Sequence, residues 1–179
     1  MTTTPAADPW IPAYIGQMEA VLSMMRQLLA RCPDHLWAEP IGIYPFWNVA
    51  YHALCFVDVY LSPSDEAWEP IQSHRGNQTF GPGGLHPLGR TELDEEFPSR
   101  RFEPAELMHY ADICQEKLHS TMAAETAETL AGDCGFAFLK MTRRELHFYN
   151  FRHITHHLGQ LSAFLHRHNI QVRWKFTGY

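Results

Sequence analysis

At 179 residues, with 45% hydrophobic and 13% aromatic side chains, the chain can bury a core and is too apolar for a disordered polymer. Its net charge of −6, with no long basic run, argues against a nucleic-acid surface. No apolar stretch approaches the roughly 20 residues of a membrane span, and the opening MTTTPAADPW has neither the basic region nor the apolar run of a secretory signal. Neither a nucleic acid nor a membrane is therefore expected as a partner. Cys32, Cys55, Cys114 and Cys134 form no Cys-x-x-Cys pair, and the three in or beside helical patterns read as buried free thiols, so the expected compartment is the cytoplasm.

After a frayed start, Asp8 can cap a helix with Pro9 at its first position. Tyr14, Met18, Val21, Leu22, Met25, Leu28 and Leu29 then recur at helical spacing up to Cys32-Pro33-Asp34. Residues 33–45 are a connector with three prolines. A second helix over Phe46–Leu61 is apolar nearly all round, so most of its faces should be buried. Residues 62–102, rich in proline and holding Gly81-Pro82-Gly83-Gly84, read as a long loop insertion. Arg90, Arg100, Arg101, His74 and His86 are candidates there for meeting a substrate. A third helix opens near Glu103-Pro104 and carries Leu107, Tyr110, Ala111, Cys114, Leu118 and Met122 as its stripe. Residues 126–140 read as a loop or short-turn region whose Phe136, Phe138 and Leu139 cover one end. A fourth helix spans about Thr142 to His168. The tail, residues 169–179, reads as extended, with Val172, Trp174 and Phe176 alternating against the core. Four helices and no convincing strand give an all-α chain, a single domain over 1–179 built as a four-helix bundle.

The chemistry sits in the histidines. There are twelve, six of them between His147 and His168. His153 and His157 are four apart, which on a helix puts both imidazoles on one face, about 6 Å apart along the axis. Such a pair can close on one divalent ion and needs a third ligand from another segment. His52 supplies it, as a polar residue on the buried second helix. Alone, His52 would read as a core histidine bonded to a neighbour, since an unpaired buried polar group costs about 1–3 kcal/mol. Three neutral imidazoles leave coordination positions open, the arrangement of catalytic rather than structural sites. Asn48, one turn before His52, is a candidate partner for the ring nitrogen opposite the metal. Tyr149 and His156 are candidates for contacting substrate or for acid–base help. His-Glu-x-x-His fails because position 154 is Ile154, and the two Glu-x-x-His copies, Glu106…His109 and Glu116…His119, lie on one helix rather than on the two a di-iron bundle requires.

Asn48-Val49-Ala50-Tyr51-His52, the opening Glu103-Pro104-Ala105-Glu106-Leu107 and, above all, His153-Ile154-Thr155-His156-His157-Leu158-Gly159-Gln160-Leu161 resemble the DinB/YfiT-like superfamily. The resemblance implies a DinB-like four-helix bundle, frequent homodimers, and a divalent metal, usually nickel or zinc, on residues matching His52, His153 and His157. Iron remains compatible with imidazole ligands, although a related iron branch in sulfoxide synthesis carries glutamate where this chain has Gly159. Members with known activity mostly use low-molecular-weight thiols, transferring them to electrophiles or isomerising maleylpyruvate. The expected function is thus thiol transfer or hydrolysis on a small molecule at a three-histidine metal site. The alternatives are a non-catalytic metal- or small-molecule-binding bundle with a stress-related role, and a purely structural bundle.

Overall fold

The computed structural model describes residues 8–64, 66–68 and 101–178. It is all-α apart from one small hairpin. In chain order the elements are α1 (Trp10–Arg31), α2 (Asp34–Trp37), β1 (Pro40–Ile41), β2 (Tyr44–Pro45), α3 (Phe46–Leu61), α4 (Pro104–Ala124), α5 (Ala127–Ala131) and α6 (Arg143–Arg167). The strands are a correction to the strandless reading: Pro40 pairs with Pro45 and Ile41 with Tyr44, antiparallel, around Gly42 at φ +69°. The hairpin turns the chain just before α3, where Pro45 as N-cap fixes the approach.

The four long helices share one core. Helix α3 packs against both α4 and α6, and α1 packs against the same two. Every residue of α3 except Trp47 is buried, which accounts for a sequence apolar on all faces. Trp37, Phe46, Tyr51, Tyr60, Phe102 and Tyr110 are among the largest fully enclosed side chains. Each such aromatic contributes about 1.5–3 kcal/mol by leaving water.

Local chemistry sets the helix ends. Glu103 and Glu106 form a capping box at α4 behind Pro104, and Thr142 with Glu145 forms another at α6. Asp8 accepts the Trp10 amide at 3.0 Å, although the N-cap of α1 is Pro9 itself. Asn169, at φ +60°, takes the chain out of α6. Residues 126–140 contain a helix that periodicity missed, α5, too short for a stripe but capped by Thr126 and Thr129. Beyond it Gly135 sits at φ +83°, and a Cβ there would lie 2.0 Å from the Pro63 carbonyl oxygen. Only glycine lets this loop close on the end of α3.

The tail runs extended along α1, and Val172 packs against the core as alternation suggested, but the two aromatics do not. Trp174 is 69% and Phe176 83% exposed. Polar contacts hold the tail as well: Gln17 donates to the Phe176 carbonyl, Gln27 exchanges two bonds with the Arg173 backbone, and Arg31 donates to the Gln171 carbonyl. Most of the expected insertion, with Arg90, Arg100, His74 and His86, lies outside the described residues. Arg101 lies within them and pairs with Glu103 at 3.3 Å. Among the described residues no helix is long and apolar enough to cross a membrane.

Candidate metal centre

Helices α3 and α6 run antiparallel in contact, and their apolar seam is interrupted by imidazoles. His52 comes from α3, and His153 and His157 come from one face of α6, one turn apart. The Nε2 atoms converge: His52 Nε2 lies 3.1 Å from His153 Nε2, which lies 3.2 Å from His157 Nε2. The three ligand atoms all fall within 4.8 Å of one another, so this group could hold a metal ion. An ion bound at 2.0–2.1 Å in tetrahedral geometry separates its nitrogen ligands by about 3.3–3.4 Å. The two measured separations are close to that figure.

The surroundings favour the neutral, ligand-ready rings. Phe56 packs on His52 at 4.6 Å and on His153 at 5.0 Å between ring centroids, and Tyr60 meets His153 edge-on at 6.3 Å. Burial in this aromatic setting, reinforced by the neighbouring histidines, lowers His52 to about 2 and His153 to about 3 from an ordinary 6.5. Gln160 completes the arrangement. Its Oε1 lies 2.9 Å from His157 Nδ1, and an oxygen acceptor requires the proton on that nitrogen. Neutral His157 therefore keeps a lone pair on Nε2, facing the other two rings. Gln160 Nε2 in turn donates to His156 Nε2 at 3.2 Å, which leaves the His156 proton on Nδ1.

Hydrogen bonding alone does not account for three such nitrogens. His153 Nε2 can carry one proton, and two neighbouring Nε2 atoms lie 3.1 and 3.2 Å from it. That proton serves one of them well. A shared cation serves all three.

The other expected site residues fall unevenly. Tyr149 and His156 line a cavity of about 240 Å³ together with Arg152, His153 and His157. Tyr149 stacks near His153 at 6.3 Å, and His156 meets the His157 ring at 5.1 Å. Asn48 is buried, and its Oδ1 accepts no hydrogen bond. His153 Nδ1 is likewise buried without a partner. Sequence reasoning overlooked three contributors. Gln160 stood inside the quoted motif, three residues past His157, a spacing that places side chains side by side on a helix. Phe56, four after His52, was legible by the same rule. Arg152 gave no signal in the sequence beyond adjacency to His153.

A second polar group lies where α3 ends. The Glu125 carboxylate accepts from Arg143 Nε at 2.8 Å, His147 Nε2 at 3.0 Å and Thr129 Oγ1 at 2.7 Å. Burial alone would raise this carboxyl; those bonds hold it at about 2. Arg143 also donates to the carbonyls of Tyr60, Leu61 and Ser62, capping α3. Nearby, buried Asp58 accepts from Lys117, Trp68 and Tyr110.

No curated protein and no solved structure matches the chain. A family model described as the DinB superfamily matches residues 17–161, a span that takes in α3, α4 and the histidine-bearing part of α6. With most of its length and all three converging histidines inside that match, the chain belongs to the DinB superfamily.

Proposed function

We propose that this protein is a metal-dependent enzyme acting on a small molecule, with His52, His153 and His157 as the ligands of a divalent ion inside a single-domain, DinB-like four-helix bundle. The observation that carries the reading is the convergence of three Nε2 atoms, two contacts of 3.1 and 3.2 Å, with no acid or cation of the described residues among them. Zinc or nickel suits three imidazoles best, and iron is compatible. Such an ion supplies Lewis acidity, lowering the pKa of a bound thiol or water toward neutrality.

The chain's own residues support thiol transfer over hydrolysis. A hydrolase with a metal-bound water commonly adds a carboxylate as general base, and among the described residues no carboxylate lines the cavity beside the histidines. Thiol transfer needs less: a thiolate, held next to an electrophile, attacks without a separate base. His156 lines the cavity and is kept by Gln160 as an Nδ1–H donor, placed to hydrogen-bond to the charge that develops on the electrophile. Phe56 and Tyr60 keep the floor of the site apolar, which strengthens every charge interaction there. A cytoplasmic homodimer is the setting in which we place this activity.

One observation favours a binding role instead: the cavity, about 240 Å³, is smaller than most enzyme pockets, which run from about 300 Å³ upward. Turnover separates the two. The metal-loaded protein is incubated with low-molecular-weight thiols and electrophilic acceptors, beside a chelated sample and a His157→Ala variant. Conjugate formation that disappears in both controls is the expected result. Metal and thiol binding without any product across acceptor classes would leave the binder.

A further inference from the structure

Arg152 is the cation at the mouth of the histidine cavity. Its guanidinium lies over the Tyr149 ring, 5.1 Å from the centroid, so it rests against the wall of the cavity. Four other cations of the helices pair with carboxylates, Arg26 with Asp112, Arg143 with Glu125, Arg144 with Asp8 and Lys117 with Asp58, whereas Arg31 meets the Gln171 carbonyl and Arg167 the Phe164 ring, both away from the cavity. Among the described residues none pairs with Arg152, although the chain is acidic overall at −6. An unneutralised, planar five-donor fork beside a cavity presents the geometry that accepts a carboxylate through two parallel bonds. His156, with its proton on Nδ1, adds a second donor to the lining of the same cavity. Among the described residues no carboxylate on the cavity wall satisfies either of them.

We infer that the small molecule bound at this site carries a carboxylate, and that Arg152 grips it and selects for it. The cavity, about 240 Å³, suits a short molecule. The inference rests on the metal reading above and adds a substrate class to it: short, anionic and carboxylate-bearing. Arg152 is on α6, directly before His153, so the anion grip and the ligand face share one rigid element. That fixes the distance between the two recognised ends of the molecule.

The test uses the full chain loaded with cobalt(II), whose thiolate charge-transfer band reports binding without turnover. Two probes of equal chain length are titrated, 3-mercaptopropionate and 3-mercaptopropan-1-ol, into the wild type, Arg152→Ala and Arg152→Lys. The wild type should bind the acid about 10-fold more tightly than the alcohol, as a charge-assisted double bond requires. In Arg152→Ala that ratio should fall to near one, and Arg152→Lys, keeping the charge but losing the fork, should lie between. A wild-type ratio near one, or a preference for the acid that survives Arg152→Ala, overturns the role of Arg152 and leaves the metal reading standing. A chain that takes up no cobalt overturns the metal reading, and this inference with it.

Discussion

At the start of α6, Arg143 and His147 meet Glu125 and the last carbonyls of α3; three turns on, His153 and His157 meet His52. Both groups are polar, both involve α3 and α6, and they are built differently. In the first, the carboxylate takes three donors and the guanidinium spreads over one acid and three carbonyls. Its charges are matched, and the carboxyl is held at about 2. In the second, three nitrogens face one another with no acid of the described residues in the group, and burial drives His52 to about 2 and His153 to about 3. The first group ties α4, α3 and α6 together. The second does no such work with protein atoms alone, and its chemistry is that of a ligand set.

The contrast breaks most sharply at Glu125. Glu125→Ala strands Arg143 and His147 in the interior and should cost about 3–5 kcal/mol of stability, read as a lower denaturant midpoint. Metal stoichiometry should hold wherever the variant is folded; equal damage to both would mean that the two groups are one unit. Acid titration comes next. The two histidines titrate lower in the folded chain than their ordinary 6.5, so below that pH the unfolded chain binds protons that the folded one refuses. Stability of the metal-free protein should be full above about 6.5 and fall as pH drops toward 3, by up to about 1.4 kcal/mol per pH unit for each histidine. Glu125, lowered from 4.5, adds its own loss only below that value. Chemical denaturation at a series of pH values checks the window, and a stability flat from pH 7 to 5 would mean that neither histidine is held neutral. Gln160→Leu sharpens the second group alone. It frees His157 to take the wrong tautomer, and metal affinity should weaken about 10–100-fold with the fold intact, measured by competition with a chelator. Smallest, Thr142→Ala removes the α6 cap and should cost about 1 kcal/mol while leaving metal affinity in place.

Much of the fold was legible because its helices bury one continuous stripe each. Phe46–Leu61, read as a helix apolar on all faces, is α3 with those bounds, and the helix expected to open near Glu103-Pro104 is α4, which starts at Pro104. What periodicity could not supply was short or irregular. Helix α5 has five residues and α2 four, less than one stripe, and the hairpin at Pro40–Pro45 has two-residue strands set by backbone turns. Trp174 and Phe176 alternate like a packed strand yet lie exposed: Ile170 and Val172 pack against the core, and beyond them hydrogen bonds from α1 hold the tail by its backbone. At the histidine site, the spacing of His153 and His157 was readable because helical geometry is local. The approach of His52 depends on how α3 and α6 pack, and no local pattern states that. Asn48, by the helical rule one turn from His52, is buried, and its Oδ1 accepts no bond. Gln160, by contrast, was within reach of that rule and takes the orienting position on His157.

Metal content of the purified chain is the most direct measurement. Wild type exposed to zinc or nickel and then desalted should retain close to one ion per chain, and His52→Ala and His153→Ala should each retain almost none while staying folded by circular dichroism. Wild type that emerges metal-free, or variants that hold as much metal as wild type, would contradict the shared ion on which the account stands.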